Sequence, residues 1–246
     1  MRTIAIYNLK GGVGKTAAAV NFSYLAARSG LRTLVWDLDP QGAASWYLLS
    51  DSEKSASAEK LIKRKVTIGE QLVRSRFDRL DVIPSNFSHR KVDITLSKLQ
   101  VSSHTLKRLI NPFGETHSLV VLDCPPSLSK LAEQIFDSAD AIFVPLVPTY
   151  LSLRTFEQAM EYIKAHKLGH KQVYPFFSMV DIRRQLHRGL LNEPPKNLKR
   201  LLTNYIPYSA VIEKMGEHRA PLPVYARTHP ATGAYERLLQ EVLAAR

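Results

Sequence analysis

A glycine-rich segment near the start of the chain carries the residue types that bind a polyphosphate. Residues 9–16 read Leu-Lys-Gly-Gly-Val-Gly-Lys-Thr and lie between an apolar run and an alanine-rich stretch. Glycines let backbone N–H groups approach phosphate oxygens, a helix N-terminus attracts the anion, and lysine and hydroxyl groups serve the β- and γ-phosphates and Mg²⁺. The segment predicts a Mg²⁺–nucleoside triphosphate site. Its predicted contacts are Lys10, Gly11, Gly12, Val13, Gly14, Lys15, Thr16 and Ala17.

Three aspartates follow apolar runs that are predicted strands. Asp37 and Asp39 lie in residues 36–42, Trp-Asp-Leu-Asp-Pro-Gln-Gly, and Asp123 follows the apolar residues 119–122. Alternation along a strand places Asp37 and Asp39 on one side, at the edge where doubly wound folds bind ligands. Asp123 has the Walker B arrangement, in which a carboxylate holds a Mg²⁺-bound water. The predicted metal-binding residues are Thr16, Asp37, Asp39 and Asp123, with a structural role left open for Asp37.

Short apolar runs alternate with stretches of helical spacing, which is typical of an α/β fold: a doubly wound, mostly parallel twisted sheet with helices on both faces. We expect one domain, residues 1–246. The predicted strands are Thr3 to Tyr7, Arg32 to Leu38, Leu80 to Pro84, Leu119 to Asp123, Ala141 to Val147 and Val173 to Val180. The predicted helices are Lys15 to Ser29, Leu128 to Ser138 and Leu151 to Lys167. Residues 50–65 lack a clear period, and Pro194 and Pro195 interrupt an otherwise helical stretch, 183–204.

Composition bounds the function further. The 246 residues include 45% apolar residues, enough for a full core, and no run approaches the roughly 20 apolar residues of a membrane span. The first residues reach glycine too soon for a signal peptide, so we expect a cytoplasmic protein. The single cysteine, Cys124, excludes an internal disulfide and a multi-cysteine metal site within one chain, and it is interpreted as a packing residue.

The excess positive charge is concentrated. The chain has 34 Lys and Arg against 22 Asp and Glu, a net charge of +12, and residues 164–200 contain nine basic and two acidic residues, a surplus of +7. A clustered surplus of this kind is typical of sequence-independent binding to a phosphate backbone. A second basic cluster, residues 60–65, has acidic neighbours and is weaker support.

The motif Lys-Gly-Gly-Val-Gly-Lys-Thr resembles the deviant Walker A motif of the ParA/MinD ATPases. In an ordinary P-loop the first glycine would fall at Leu9, and here an extra lysine stands at position 10. Four further segments also resemble motifs of this family, namely residues 37–42, 123–126, 178–183 and 205–207. The resemblance therefore covers essentially the whole chain. It implies a P-loop NTPase fold, ATP and Mg²⁺ as cofactors, and slow ATP hydrolysis in the absence of an activator.

The resemblance also implies roles for individual residues. Lys10 contacts phosphates bound by the other subunit of an ATP-dependent homodimer, Lys15 contacts the phosphates of its own subunit, and Asp39 orients or activates the attacking water. Residues 124–127 form the switch that senses the γ-phosphate. Met179 and Pro207 lie near the adenine.

Within the family the chain resembles the small ParA class, whose proteins bind nonspecific DNA as ATP-bound dimers and respond to a ParB-like or other adaptor. This resemblance implies a nucleoid-associated protein without membrane attachment. The predicted DNA contacts are Arg183, Arg184, Arg188, Lys196, Lys199 and Arg200. In one respect the chain departs from the family: residues 208–214 read Tyr-Ser-Ala-Val-Ile-Glu-Lys where two arginines are common. Because the P-loop begins at residue 10, we expect no helix-turn-helix domain before it and no sequence-specific operator binding.

Two other classes use this scaffold. A MinD-like membrane switch needs a C-terminal helix with a cationic face, whereas residues 235–243 place Glu236 and Glu241 on the polar face, which favours packing in the core. Among metabolic ATPases, a nitrogenase-reductase-like protein requires two cysteines per chain, and this chain has one. An amide-forming ATPase is not excluded by motifs, although residues 37–42 favour the positioning class.

Overall fold

The computed structural model describes residues 1–50, 67–85, 104–166 and 172–245. One seven-stranded sheet dominates the described part of the chain. Its strands are β1 (Arg2–Ile6), β2 (Thr33–Asp37), β3 (Val73–Arg74), β4 (Leu80–Ile83), β5 (Leu119–Asp123), β6 (Ala141–Leu146) and β7 (Gln172–Phe177). The order is β3-β4-β2-β5-β1-β6-β7, and every neighbouring pair is parallel except β3 with β4. The predicted doubly wound, mostly parallel sheet is therefore confirmed.

The register aligns the strand ends that the site needs. Asp123 pairs with Ile6 of β1 on one side and with Asp37 of β2 on the other. From β1 the chain first builds the β2 side of the sheet and later returns to build the β6 side, so the crevice beyond the carboxyl end of β1 is a switch point of the topology. The glycine-rich segment begins at that point.

Helices cover the sheet and fill the connections. They are α1 (Lys15–Arg28), α2 (Ala43–Leu48), α3 (Thr105–Ile110), α4 (Lys130–Ser138), α5 (Tyr150–Ala165), α6 (Gln185–Asn192), α7 (Ala210–Glu213), α8 (Met215–His218), α9 (Leu222–Tyr225) and α10 (Pro230–Ala244). Short 3₁₀ helices occupy Gly69–Gln71 and Asn111–Glu115. Among these described helices, none combines the length and apolar composition needed to cross a membrane.

The two faces of the sheet pack against different helices because successive side chains of a strand point to opposite sides. On one face Phe22 of α1 lies 5.9 Å from the ring of Tyr235 of α10, beside Ile4 and Ile6. On the other face Tyr7 meets the ring of Phe136 of α4 at 4.7 Å, edge to face. The apolar residues of α10 are buried in the first of these layers, which confirms the prediction that the C-terminal helix packs in the core.

The predicted elements differ from the observed ones mainly at their ends. Helix α4 begins at Lys130 rather than at Leu128 because the Ser129 side chain accepts a hydrogen bond from the Ala132 amide and caps it. Strand β7 ends at Phe177, not at Val180, because Met179 adopts φ +54°. Helix α6 ends at Asn192, two residues before the first of the two prolines, as expected from their backbone restriction.

Other differences have different causes. Strand β3 is missing from the prediction because two residues carry no readable pattern. Helix α5 ends at Ala165, and its predicted end, Lys167, lies outside the described residues. Nearly all of the stretch 50–65, which includes the basic cluster 60–65, also lies outside them.

Candidate nucleotide-binding site

The glycine-rich loop is anchored at its start by Asn8, a residue that sequence reasoning missed. Asn8 is buried, its Nδ2 donates to the carbonyl of Pro145 at 2.7 Å, and its Oδ1 accepts from the amide of Lys10 at 2.9 Å. The loop is thereby tied to the end of β6. A polar residue between an apolar strand and a glycine-rich loop could have indicated such an anchor in the sequence.

Gly14 closes the loop immediately before α1 begins. It has φ +91°, in the left-handed region, and a Cβ at this position would lie 2.9 Å from Oγ of Ser178. The left-handed backbone favours glycine, and a larger residue would also displace the Ser178 hydroxyl. The contact also places the segment after β7 directly beside the loop.

Lys15 is buried at the base of the loop, with 6% of its surface exposed. Its Nζ donates a hydrogen bond of 3.0 Å to the Lys10 carbonyl. Burial lowers the pKa of Lys15, and the charges of Asp123 and Asp39 oppose that shift. Lys10, in contrast, is exposed at the tip of the loop. Of the two lysines, one is therefore buried at the base of the loop and the other is exposed to solvent at its tip.

Asp123 is the clearest sign of a cation site. It is completely buried, and neither carboxylate oxygen has a hydrogen-bond partner among the residues that the structure describes. Burial, followed by the charge of Asp37, raises its pKa well above the usual value, while the charge of Lys15 acts in the opposite direction. A buried carboxylate without a partner is costly, and Mg²⁺ with its bound waters removes that cost. Thr16 and Asp123 fit the metal.

Asp37 is held by protein groups instead. Its Oδ2 accepts from the amide of Ser45 at 2.8 Å and from the Ser45 hydroxyl at 2.7 Å, and its Oδ1 accepts from the Asp39 amide at 3.2 Å. Burial raises its pKa to about 6 despite these hydrogen bonds, with help from the charge of Asp39. These contacts favour the structural role among the two roles that the sequence left open.

Asp39 lies at the mouth of the crevice and is half-buried. Its Oδ1 accepts from the amide of Gln41 at 2.9 Å, and its own carbonyl accepts from the Ser85 hydroxyl at 2.6 Å. The main chain of Asp39 is therefore held by hydrogen bonds, and its carboxylate is accessible to solvent water. Its predicted role in orienting the attacking water stays a prediction.

The segment after β5, residues 124–127, is linked to Tyr7, the residue that directly follows β1. The hydroxyl of Tyr7 donates to the carbonyl of Ser127 at 3.0 Å, and the Ser127 amide bonds the Pro125 carbonyl at 3.0 Å. Cys124 is fully buried, its thiol donates to the Leu122 carbonyl, and burial raises its pKa well above the usual value. Such a thiol is a packing group and not a nucleophile, as the sequence predicted.

Met179 and Pro207, the predicted adenine contacts, lie in two segments that run side by side. Val180 and Pro207 form an isolated parallel bridge, and the Tyr208 amide donates to the Val180 carbonyl at 2.9 Å. Together with the contact between Ser178 and Gly14, this pairing brings both segments to the edge of the sheet that carries the loop. The adenine contact itself stays a prediction.

The predicted DNA contacts lie outside the nucleotide crevice, beyond the edge strand β7. Arg183 and Arg184 precede α6, are 79% and 68% exposed, and share Asp181 as an ion partner at 2.8 and 3.8 Å. Arg188 is exposed on α6 and donates to the Ile182 carbonyl at 3.3 Å. The remaining three, Lys196, Lys199 and Arg200, are exposed in the segment that follows α6.

The fold and site define a P-loop ATPase, and comparison with known proteins gives its family. A family model described as an AAA domain matches residues 1–173. The chain is 26% identical over 248 residues to the chromosome-partitioning ATPase Soj of Treponema pallidum, covering 99% of this chain and 97% of Soj. The chain belongs to this AAA domain family, as a member of the ParA/MinD P-loop ATPases.

Solved structures agree with this fold. A Cyanothece McdA variant in complex with ATP has a TM-score of 0.85 at 20% identity and covers 100% of this chain and 97% of its own. Cobyrinic acid a,c-diamide synthase from Mycobacterium smegmatis, with an ATP analogue and magnesium, has a TM-score of 0.82 at 24% identity, covering 99% and 94%. These likenesses concern the fold.

Proposed function

We propose that the chain is a ParA-like partition or positioning ATPase. ATP closes a homodimer, the dimer binds nonspecific DNA of the nucleoid, and a ParB-like or other cargo adaptor stimulates hydrolysis and release. The observation that carries this proposal is the arrangement of the two loop lysines, with Lys15 buried at the base and Lys10 exposed at the tip. The relation to Soj over nearly the full length of both chains supports it.

The residues of the crevice divide the work of phosphoryl transfer. The loop amides and Lys15 hold the β- and γ-phosphates. Thr16 and Asp123 would hold Mg²⁺, which when bound would supply positive charge beside the phosphate oxygens. Asp39 orients the water in line with the γ-phosphate. Lys10 adds a cation from the partner subunit where charge develops in the transition state, which couples hydrolysis to dimerisation.

The DNA part of the proposal rests on exposed charge beyond β7. Arg183 and Arg184 are 79% and 68% exposed, whereas the Asp181 side chain that they share is only 14% exposed. Arg183 binds Asp181 through two hydrogen bonds, and Arg184 lies farther away, at 3.8 Å, so the charge of Arg184 is the more available to a DNA phosphate. The side chains of Lys196, Lys199 and Arg200 extend the same basic region, so it spans residues 183–200.

The packing of α10 separates this proposal from a membrane switch. Tyr235, Leu238 and Val242 are buried against the sheet, so the apolar face of the helix is occupied by the core and is not free to enter a lipid surface. We therefore propose the nucleoid, and not the membrane, as the surface on which the dimer acts.

Fluorescence anisotropy with a duplex of arbitrary sequence tests the DNA part. We expect binding with ATP but not with ADP, strongest at low salt because bound phosphates release counterions. Arg184→Ala should weaken binding at every sequence and reduce the salt slope by about 1. The matched control is Arg74→Ala, an exposed arginine on β3 at the opposite edge of the sheet, which should bind as the wild type does. Absence of ATP-dependent affinity at low salt would refute DNA binding.

A further inference from the structure

Two serines outside the recognised motifs close a ring of hydrogen bonds around Asp39. The Ser45 hydroxyl donates to Asp37, the Ser85 amide donates to the Ser45 oxygen at 3.0 Å, and the Ser85 hydroxyl donates to the Asp39 carbonyl at 2.6 Å. The Asp39 amide completes the ring by donating to Asp37 at 3.2 Å. Both main-chain groups of Asp39 are therefore held.

The ring joins three separate elements of the fold. Asp37 ends β2, Ser45 lies on α2, and Ser85 follows β4, the neighbour of β2 in the sheet. Each serine bridges two partners. The Ser45 hydroxyl donates to Asp37 and accepts from the Ser85 amide, and Ser85 donates to Ser45 through its amide and to Asp39 through its hydroxyl. The hydrogen bonds therefore fix the position of Asp39 relative to α2 and to the end of β4.

The ring adds to hydrogen bonds that the turn after Asp39 already supplies. The Gly42 amide donates to the Asp39 carbonyl at 2.9 Å, and the Gln41 amide donates to Asp39 Oδ1 at 2.9 Å. These donors belong to the same turn, whereas the two serines tie Asp39 to α2 and to the end of β4. A carboxylate that orients a water must be held to within a fraction of an ångström, and a displacement of about 1 Å costs on the order of 100-fold in rate.

We propose that Ser45 and Ser85 are positioning residues that hold the Asp39 carboxylate in the orientation needed for attack by water. This inference rests on the proposed role of Asp39. Neither serine touches the phosphates in this scheme. Their loss should therefore affect the chemical step and leave nucleotide binding intact.

The first test separates kcat from KM in Ser45→Ala and Ser85→Ala. We expect each to lower kcat for ATP about tenfold or more with KM within about twofold of the wild type. Ser85→Thr keeps the hydroxyl and should restore most of kcat. The matched control is Ser138→Ala, which removes a buried hydroxyl that donates to the Gln134 carbonyl on α4, away from the crevice, and should leave kcat unchanged.

Amide hydrogen exchange gives a second readout that needs no turnover. The amides of Asp39 and Gln41 are hydrogen-bonded, so loosening of the ring should speed their exchange in Ser45→Ala and Ser85→Ala but not in Ser138→Ala. Because Ser85 is half-buried, Ser85→Ala keeps the test available if Ser45→Ala does not fold. Unchanged kcat together with unchanged exchange in Ser85→Ala would overturn the proposal.

Failure of the proposed role of Asp39 gives a different pattern. If Asp39→Ala retained normal turnover while the serine variants accelerated exchange at Asp39, the ring would be intact as a structural device and the water-orienting role would belong elsewhere. If Asp39→Ala abolished turnover and the serine variants changed neither kcat nor exchange, the positioning role alone would be wrong.

Discussion

Nζ of Lys15 donates a hydrogen bond of 3.0 Å to the backbone carbonyl of Lys10, so the two lysines of the phosphate-binding loop are directly connected. The bond spans the loop from its base to its tip and holds the Lys10 backbone over the buried amine. The ammonium group has three N–H donors, so Lys15 can hold this carbonyl and still donate to phosphate oxygens. The side chain of Lys10 remains exposed for a different task.

Lys10→Ala separates binding from dimerisation. We expect ATP affinity to be partly retained, because the Lys10 carbonyl and the loop amides remain, while ATP-dependent dimerisation measured by light scattering is abolished. Adaptor-stimulated turnover should fall by at least about 100-fold, since a cation at the transferring phosphoryl group is lost. Lys107→Ala, an exposed lysine on α3, is the control for charge removal. An ATP-dependent increase in light scattering as large as that of the wild type would refute the role of Lys10 across the interface.

Asp39→Ala should trap the ATP state. Removal of the group that orients the water lowers turnover by about 100-fold or more, while the residues that hold phosphates and Mg²⁺ remain. We expect a persistent ATP-bound dimer that still binds DNA, measured as slow dissociation from duplex in anisotropy after dilution. Normal phosphate release by this variant would place the water-orienting role on another residue.

Gly14→Ala should damage the loop through its backbone. Alanine at φ +91° is strained, and its Cβ would lie 2.9 Å from Oγ of Ser178, so we expect a loss of about 1 to 3 kcal/mol in unfolding free energy and weaker ATP binding. Urea denaturation and nucleotide titration measure the two effects. Gly189→Ala is the matched control because Gly189 lies in α6 with nothing within 4 Å of a new Cβ. Equal behaviour of the two variants would contradict the strain argument.

Asp81 makes a pH-dependent contribution to stability at the opposite end of the sheet from the nucleotide. Its Oδ2 accepts from Nε2 of buried His117 at 3.0 Å and from the Arg32 guanidinium at 3.1 Å. Burial raises its pKa, but the hydrogen bonds from His117 and Arg32 outweigh burial, so the pKa lies below the usual 3.8. A lowered folded-state pKa means stabilisation that is fully present above the unfolded-state pKa and lost as pH falls through the folded-state value.

Asp81→Asn should therefore be destabilising by about 2 kcal/mol near pH 7, with the difference from the wild type shrinking as pH falls below about 4. Urea denaturation over that pH range measures it, and ATP affinity at pH 7 should not change. Asp78→Asn, an exposed aspartate on the preceding turn, is the control. A difference independent of pH would show that the charge of Asp81 is not what stabilises the fold.

Several parts of the molecule follow from the sequence alone. The glycine-rich loop, the strand before it and α1 depend only on residues that are close in the sequence. The strand needs a run of apolar residues, and the loop needs glycines because other residues adopt its backbone conformations only at a cost in free energy. The same holds for Asp37 and Asp123, which end strands, and for Asp39, two residues after β2, because carboxyl ends of parallel strands share one edge of a sheet. The packing of α10 was readable from its charge pattern.

Other features were decided only by tertiary structure. Asn8 bonds to Pro145, Ser85 bonds to Ser45 and Asp39, and Gly14 lies against Ser178, and in each case the partners are far apart in the chain. No pattern of spacing encodes these contacts, because they depend on which strands become neighbours. The sequence thus determined which chemistry this protein carries, since backbone freedom and residue type are local properties. The order of strands in the sheet decided what holds that chemistry in place.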